Sequence, residues 1–164
     1  MIKYAKYISK PLYYFTHIHW FLNAIFVVMS FFCAPPSLFY LFFFVSIGIQ
    51  GIASGAFSAK TAIDEAAKIH TAMDRCLVIA KSISLPLSAV CFFSLFVVGG
   101  SPQIIDGAYC LVNHGQIIRY VSSNSFLYFS ICDRVVFSSV ILYFSAILAL
   151  RIRTMYRNQN TTAQ

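Results

Sequence analysis

The sequence predicts an all-α membrane protein: a four-transmembrane-helix bundle with a small extracytoplasmic β-hairpin between helices 3 and 4. Of its 164 residues, 59% are hydrophobic and 10% are charged, whereas soluble domains average about 45–50% apolar and about 25% charged residues. The mean hydropathy is +0.75. Four apolar runs each approach the roughly 20 residues that cross a bilayer as a helix. Residues 1–157 are therefore interpreted as one integral membrane domain.

The four predicted spans are about residues 14–33, 37–57, 77–98 and 126–150. The break at 34–36 is Ala-Pro-Pro, and proline ends a helix because it lacks an amide donor. Pro86 lies inside the third span, where neighbouring helices can satisfy the freed carbonyl. Residues 58–81 mix charges with alanine at helical spacing, which predicts a cytoplasmic helical loop. Residues 158–164 are polar and predict a disordered C-terminal tail.

The distribution of basic residues predicts the orientation. Ten of the 12 Lys and Arg residues lie in the N-terminal tail, the 58–81 loop and the C-terminal segment. Arg119 and Arg134 are the other two. Basic residues collect on the cytoplasmic side of a membrane protein, so both termini should be cytoplasmic and the protein should be multi-pass in a bacterial inner membrane. The basic residues flank apolar runs and form no patch with aromatic residues, so we expect no nucleic-acid partner.

The predicted outer segment, residues 99–125, contains a β-hairpin. Tyr109 to Val112 and Ile117 to Val121 are rich in β-forming residues. His114-Gly115 lies between them, and such a pair suits a tight turn that needs positive φ. Histidine is a common pH sensor, so His114 fits either a turn role or a pH-sensing role.

A longer motif carries a resemblance. The segment reads D-G-x-Y-x-L-x-N-H-G-x-I-x-R, followed by R-x-x-F-S in the last span. It resembles an uncharacterised family of small bacterial multi-span membrane proteins. The resemblance covers about residues 106–150 and implies an inner-membrane protein without implying a reaction. The chain departs from the family pattern at 123–126 and at Ser139-Val140. The hairpin residues that form the candidate binding or structural site are Asp106, Gly107, Tyr109, Asn113, His114, Gly115 and Arg119.

Polar residues inside the spans are further candidates, because such residues are costly in a bilayer. Asp133 and Arg134 lie about one turn inside the predicted outer boundary. They fit either interfacial ion pairs with Asp106 or Arg119, or a substrate or proton site. Asn23 and Gln50 fit a hydrogen bond across the tight hairpin of the first two spans.

Small residues and aromatic residues give two packing predictions. Gly48, Gly51 and Gly55 share one helical face. Such a face packs against another helix of the same chain or forms a homo-oligomer interface. His17, His19 and Trp20 lie near the inner end of the first span, where interfacial anchoring is expected. The two histidines are two residues apart, which points them to different helix faces and disfavours a shared metal.

The five cysteines include no C-x-x-C pair, which disfavours a thiol–disulfide relay. Cys33, Cys110 and Cys132 fall on the predicted outer side, where a bridge such as Cys110–Cys132 is one option.

The sequence contains no phosphate loop, nucleophile elbow, catalytic carboxylate pair or zinc signature. We therefore expect no enzyme activity, no cofactor and no metal. The lipid bilayer is the expected environment. The leading hypothesis is an immunity-type protein that binds a membrane-active toxin. The alternative is a small oligomeric transporter or channel, or an accessory subunit of a membrane complex.

Overall fold

The computed structural model describes residues 9–33, 37–54 and 71–162. Four helices are present in these segments: α1 (Lys10–Phe32), α2 (Ser37–Ser54), α3 (Ala72–Val98) and α4 (Ser123–Thr162). Three strands lie between α3 and α4: β1 (Ser101–Ile105), β2 (Ala108–Asn113) and β3 (Gln116–Tyr120). The predicted helical bundle with a small sheet before its last helix is confirmed at this level.

Three of the four helices are long and apolar enough to cross a membrane: α1, α3 and α4. The apolar part of α2, Leu38–Ile52, is shorter. The predicted 58–81 loop is described only from residue 71, where α3 already begins at Ala72. Its remainder lies outside the described residues. The chain is thus a multi-span membrane protein with three span-length helices and a shorter apolar helix.

Local sequence signals define the helix ends. Ser9 caps α1 and its hydroxyl accepts a hydrogen bond from the Leu12 amide. Thr71 and Asp74 form a reciprocal capping box at the start of α3. Gly99 ends α3 in the left-handed conformation, at φ +78°, and its amide donates to the Leu95 carbonyl. Glycine adopts this conformation without a steric penalty, which explains the abrupt stop.

Helix α4 is the centre of the bundle and contacts each of the other three helices. Its most extensive interfaces are with α3 and α1. Small buried residues on α4, including Ala146 and Ala149, let its neighbours approach closely. The main core cluster is Trp20, Val27, Leu77, Leu142, Ala146 and Ala149. Helices α1 and α2 meet through larger side chains, with the rings of Phe26 and Phe43 5.1 Å apart, and both pack on α4.

The bundle is apolar outside and partly polar inside. Large hydrophobic side chains such as Ile18, Phe42 and Phe93 are exposed on the helix surfaces. Buried polar residues include Asn23 and Gln50, together with serines on all four helices. An apolar exterior would be unfavourable in water but matches the solvent properties of lipid tails. This arrangement supports contact with a lipid bilayer.

The sheet has the order β1-β2-β3, with both pairs antiparallel. The predicted β2–β3 hairpin is confirmed, and its turn places His114 and Gly115 at φ +49° and +80°. A second turn of the same kind joins β1 to β2, with Asp106 at φ +51° and Gly107 at φ +78°. Positive φ at both central residues is the signature of a type I′ turn. Strand β1 extends the predicted two-stranded hairpin to three strands.

Helix α4 continues well past the predicted end of the fourth span. It runs to Thr162, whereas the sequence predicts a span ending at residue 150 and a disordered tail from residue 158. Ile152 is fully buried, and Met155 and Tyr156 pack beside it against Leu12 and Tyr13 of α1. These contacts extend the packed part of α4 beyond the predicted span, and residues 158–162, predicted to be disordered, continue the helix. Residues 163–164 lie outside the described residues.

The glycine face predicted on α2 does not form a close contact at Gly48. A Cβ added at Gly48 would meet no atom within 4 Å. Gly51 is buried, and Gly55 lies outside the described residues. Close packing of Gly48 within the chain is therefore not observed, since a packed interface would crowd the added atom.

We predict that Gly48→Ala leaves the bundle intact and stabilises α2, because alanine is favoured over glycine in a helix by about 1 kcal/mol. The measurement is unfolding of the purified protein in mixed detergent micelles, with its elution volume recorded in parallel. A destabilised protein or a changed oligomeric state would show that Gly48 is a contact between chains.

Candidate functional site: the exposed sheet edge

Strand β3 forms a free edge of the sheet. All five of its residues are exposed, including Ile117, Ile118 and Tyr120, with Tyr120 at 67%. Strands β1 and β2 pack against α4, and these are the main contacts of the sheet with the helices. Tyr109 on β2 stacks against Phe126 of α4, with ring centroids 4.8 Å apart. The helices therefore hold one side of the sheet and leave β3 open.

Within the described part of the chain, the backbone of β3 has no strand paired to its outer edge. The Val121 amide donates to the Tyr109 carbonyl across the β2–β3 pair, at 2.9 Å. Amide directions alternate along a strand, so the amide of the preceding residue, Tyr120, points away from β2. A register shift between Leu111 and Val112 marks a bulge within the same pair. An apolar edge with unpaired backbone groups is a template for another strand.

The sheet is attached closely to the end of α3. A Cβ added at Gly100 would lie 2.8 Å from Ile118 Cδ1 and 3.0 Å from the Val112 carbonyl oxygen. A side chain at this position would require Ile118 and the Val112 backbone to shift. Gly100 thus allows β2 and β3 to lie close to the end of α3.

The structure gives most of the hairpin motif a conformational role. Asp106, Gly107, His114 and Gly115 occupy the two type I′ turns. These turns lie at opposite ends of the six-residue strand β2, which separates them by roughly 20 Å at the usual rise per residue. The motif residues do not converge on one point. Asn113 and Arg119 are exposed, and Arg119 is the cation on the β3 edge.

A charged cluster at the opposite end of the bundle was missed by the sequence analysis. Asp74 of α3 is buried, at 5% exposure. Its Oδ1 lies 2.6 Å from Arg153 Nε, and its Oδ2 lies 3.1 Å from a terminal nitrogen of Arg157. Asp74 Oδ2 also accepts a hydrogen bond from the Thr71 amide, at 3.0 Å. One carboxylate therefore joins the start of α3 to the end of α4.

Helix α1 completes this cluster. Arg153 donates to the Tyr13 hydroxyl at 3.2 Å and to the Thr71 hydroxyl at 2.9 Å, and it lies 3.4 Å from His17 Nε2. Tyr13 stacks on Tyr156 with ring centroids 4.6 Å apart. Because the groups are mutually bonded, the cluster connects α1, α3 and α4. The capping spacing of Thr71 and Asp74 is visible in the sequence, but their pairing with residues 153 and 157 is not.

Asn23 and Gln50 do not bond to each other. Asn23 Nδ2 lies 3.3 Å from His19 Nδ1 on the same helix, and Gln50 Nε2 donates to the Ser46 hydroxyl at 3.2 Å. The predicted hydrogen bond across the first two spans is therefore absent between these two described residues. Four buried atoms in this region have no hydrogen-bond partner among the described residues: His19 Nε2, Trp20 Nε1, Asn23 Oδ1 and Gln50 Oε1.

The histidines and Trp20 are also placed differently from the interfacial prediction. His17 faces the Arg153 cluster, whereas His19 is buried with its ring 5.4 Å from that of Phe43 on α2. The divergence of the two histidines agrees with their spacing. Trp20 lies in the core formed by α1, α3 and α4. Among the described residues, no group of three or more His, Cys, Asp or Glu side chains is arranged to hold a metal ion.

Asp133 and Arg134 form no salt bridge within the part of the chain that the structure describes, so the expected pairs with Arg119 and Asp106 are absent there. Both residues are half-buried on α4. Arg134 Nε donates to the Ser130 carbonyl on its own helix, at 3.0 Å. The guanidinium is held by the helix itself rather than by the sheet.

Comparisons with known proteins find no matching family model, no matching curated protein and no matching solved structure. The resemblance carried by the hairpin motif remains a prediction. The fold and surface define a class: a small multi-span membrane protein with a three-stranded sheet between its last two span-length helices.

Proposed function

We propose that this chain is a non-enzymatic membrane-anchored binding protein that captures an extended segment of a partner protein on β3. The free, fully exposed edge of β3 carries the proposal. Adding a strand to such an edge is a recurrent mode of peptide recognition, in which main-chain hydrogen bonds provide affinity and alternate side chains provide specificity.

The side chains of β3 indicate the chemistry of the partner. Ile117 and Tyr120 offer apolar surface, and Arg119 is the only charged residue on the strand. An extended segment with apolar residues and one carboxylate opposite Arg119 would complement this edge, since opposite charges facing each other across strands are favourable. A segment with a facing lysine would be disfavoured for the same reason.

The proposed membrane orientation places the sheet outside the cell membrane. The basic residues at the start of α1 and the end of α4, Lys10, Arg151, Arg153 and Arg157, lie at the end of the bundle opposite the sheet. The positive-inside rule assigns that end to the cytoplasm. We propose a multi-pass protein of the bacterial inner membrane with cytoplasmic termini.

The proposed partner is a membrane-active toxin, which would make the chain an immunity-type protein. Such a toxin approaches the bilayer from the side where the sheet is proposed to lie. Neutralising it requires an anchor and a recognition edge, and the separation of the motif residues over the two turns supports recognition rather than catalysis. No cofactor or metal enters this function.

We predict that Tyr120→Pro abolishes partner capture, because proline removes the outward amide that an added strand would use while leaving the amides that face β2. Tyr120→Phe keeps that amide and is the matched control. The measurement is co-purification from native membranes in mild detergent, using equal amounts of each variant. Wild type and Tyr120→Phe should retain a stoichiometric polypeptide that Tyr120→Pro loses by at least tenfold.

The immunity function has its own readout. Producing the captured polypeptide in cells that lack the chain should arrest growth, and the wild-type chain should restore it. A harmless polypeptide would refute the toxin hypothesis while leaving edge binding in place. Equal capture by Tyr120→Pro would refute edge binding itself. Amide hydrogen exchange of β2 verifies that the proline variant keeps its sheet.

A second candidate is a small oligomeric transporter or channel, or an accessory subunit. The buried unpartnered atoms of His19, Asn23 and Gln50 favour it, because polar groups inside a bundle commonly bind a permeating species. Recovery of self-oligomers alone would direct the work to flux in proteoliposomes. Loss of flux in Asn23→Leu, or in Asp133→Asn as expected from the sequence, would support this function.

A further inference from the structure

Two cysteines that the sequence analysis does not pair face each other across the α3–α4 interface. Cys91 of α3 and Cys132 of α4 are both buried, at 8% and 4% exposure, and pack in one cluster with Val135. Both are free, as are the other cysteines of the chain.

Two contacts between α3 and α4, one turn on either side of the cysteines, place Cys91 opposite Cys132. The Ser94 hydroxyl lies 3.0 Å from the Tyr128 hydroxyl, one turn nearer the sheet. The Ser88 hydroxyl donates to the Val136 carbonyl at 3.3 Å, one turn farther from it. Cys91 lies midway between the two serines, and Cys132 lies midway between Tyr128 and Val136. Side chains one turn apart share a helix face, so the two cysteines are opposite each other in an antiparallel register.

The other cysteines are held elsewhere. Cys110 donates its thiol hydrogen to the Gln103 carbonyl within the sheet, and Cys33 donates to the Met29 carbonyl on α1. Cys76 is exposed, one turn into α3 at the end distant from the sheet. The Cys110–Cys132 bridge that the sequence left open is therefore not the pairing this structure favours.

We propose that Cys91 and Cys132 are a redox-active pair that forms a reversible disulfide between α3 and α4. The two S–H bonds break and one S–S bond forms, which releases two protons and two electrons. A lipid-soluble quinone accepts both and becomes the hydroquinone. A lipid-soluble quinone suits the site because both thiols are buried among apolar side chains, which a charged water-soluble oxidant could enter only by losing its hydration.

The disulfide would restrict the sheet because it adds a covalent link between the two helices that flank it. The whole sheet lies in the chain between Cys91 and Cys132, so the disulfide closes a ring that contains all three strands. In the reduced state α3 and α4 are held here by packing and by the hydrogen bonds of Ser88 and Ser94, without a covalent link. Oxidation would fix the end of α3 and the start of α4, which are the two helix ends joined to the sheet. It would thereby restrict the motion of the β3 edge.

The test uses the full-length protein in native membranes and duroquinone as the quinone probe, because its fully substituted ring leaves no free position for addition of the exposed thiols. After treatment, the protein is denatured and alkylated with N-ethylmaleimide, and its intact mass gives the number of free thiols. We expect five alkylated cysteines before oxidation and three afterwards, with dithiothreitol restoring five. A non-reducing digest of the unmodified sequence should contain a peptide linking Cys91 to Cys132.

Cysteine-to-serine variants distinguish a Cys91–Cys132 disulfide from disulfides that involve the other cysteines. Cys76→Ser should still lose two thiols on oxidation, whereas Cys132→Ser should lose none. Five alkylatable thiols after duroquinone treatment of the wild-type protein would overturn the proposal. A peptide linking Cys132 to Cys110 would overturn it as well. The peptide map needs no substitution, so a poorly folded variant does not weaken the result.

Discussion

Asp74→Asn should destabilise the bundle by about 3 kcal/mol or more, which is the usual effect of removing one partner of a buried ion pair. Arg153 is 16% exposed at its side chain and Asp74 is 7% exposed. Asparagine keeps the size of the side chain and can still accept the Thr71 amide hydrogen bond. The substitution therefore removes the negative charge and leaves the Arg153 guanidinium buried without a counter-charge. Unfolding by sodium dodecyl sulfate in mixed micelles measures the loss.

A matched carboxylate provides the control. Asp106 is exposed in the β1–β2 turn, and asparagine tolerates its positive φ as well as aspartate does. Asp106→Asn should change stability by less than about 0.5 kcal/mol. Combining Asp74→Asn with Arg153→Gln should cost much less than the sum of the single effects, because the second substitution removes the unpaired charge. Strict additivity would show that the pair is not energetically coupled.

This cluster illustrates what the sequence could not reveal. Hydropathy locates the helices, since each apolar run must satisfy its backbone internally once it is in lipid. The pairing of Asp74 with Arg153 depends on how α3 and α4 pack, and neither local spacing nor composition encodes it. The position of Trp20 was misjudged for the same reason. Its place near a span end suggests the membrane–water interface. In the structure its side chain packs in the core beside the small residues Ala146 and Ala149 of α4.

In the sheet, too, the features that depend on local sequence could be predicted, and those that depend on tertiary packing could not. The His114-Gly115 turn was predictable because its residues suit positive φ. Strand β1 was missed although Asp106-Gly107 carries an equally strong turn signal. Pro102 discourages a strand assignment, but proline is tolerated where a strand lies at a sheet edge, and β1 is an edge strand. Exposure of β3 follows from how the helices cover the sheet, which only the structure reveals.

Trp20→Ala should be the most damaging substitution within the apolar core, with a loss of about 3–5 kcal/mol. The Trp20 side chain is 8% exposed and packs against Leu77, Leu142 and Ala146. In a bilayer the hydrophobic effect does not hold helices together, so stability depends on close packing and dispersion contacts. Removing the indole leaves a cavity where α1, α3 and α4 meet. The same mixed-micelle unfolding experiment measures the effect.

The adjacent residue distinguishes packing from membrane partitioning. Phe21 is 58% exposed on the outer surface of α1, so Phe21→Ala exchanges a lipid contact without opening a cavity. We expect it to cost less than about 1 kcal/mol. Equal losses for the two neighbours would mean that aromatic content, rather than position, stabilises α1. A large loss at Trp20 alone would establish that the three helices meet at its indole ring, which together with the Asp74–Arg153 cluster links the sheet-bearing helices α3 and α4 to α1.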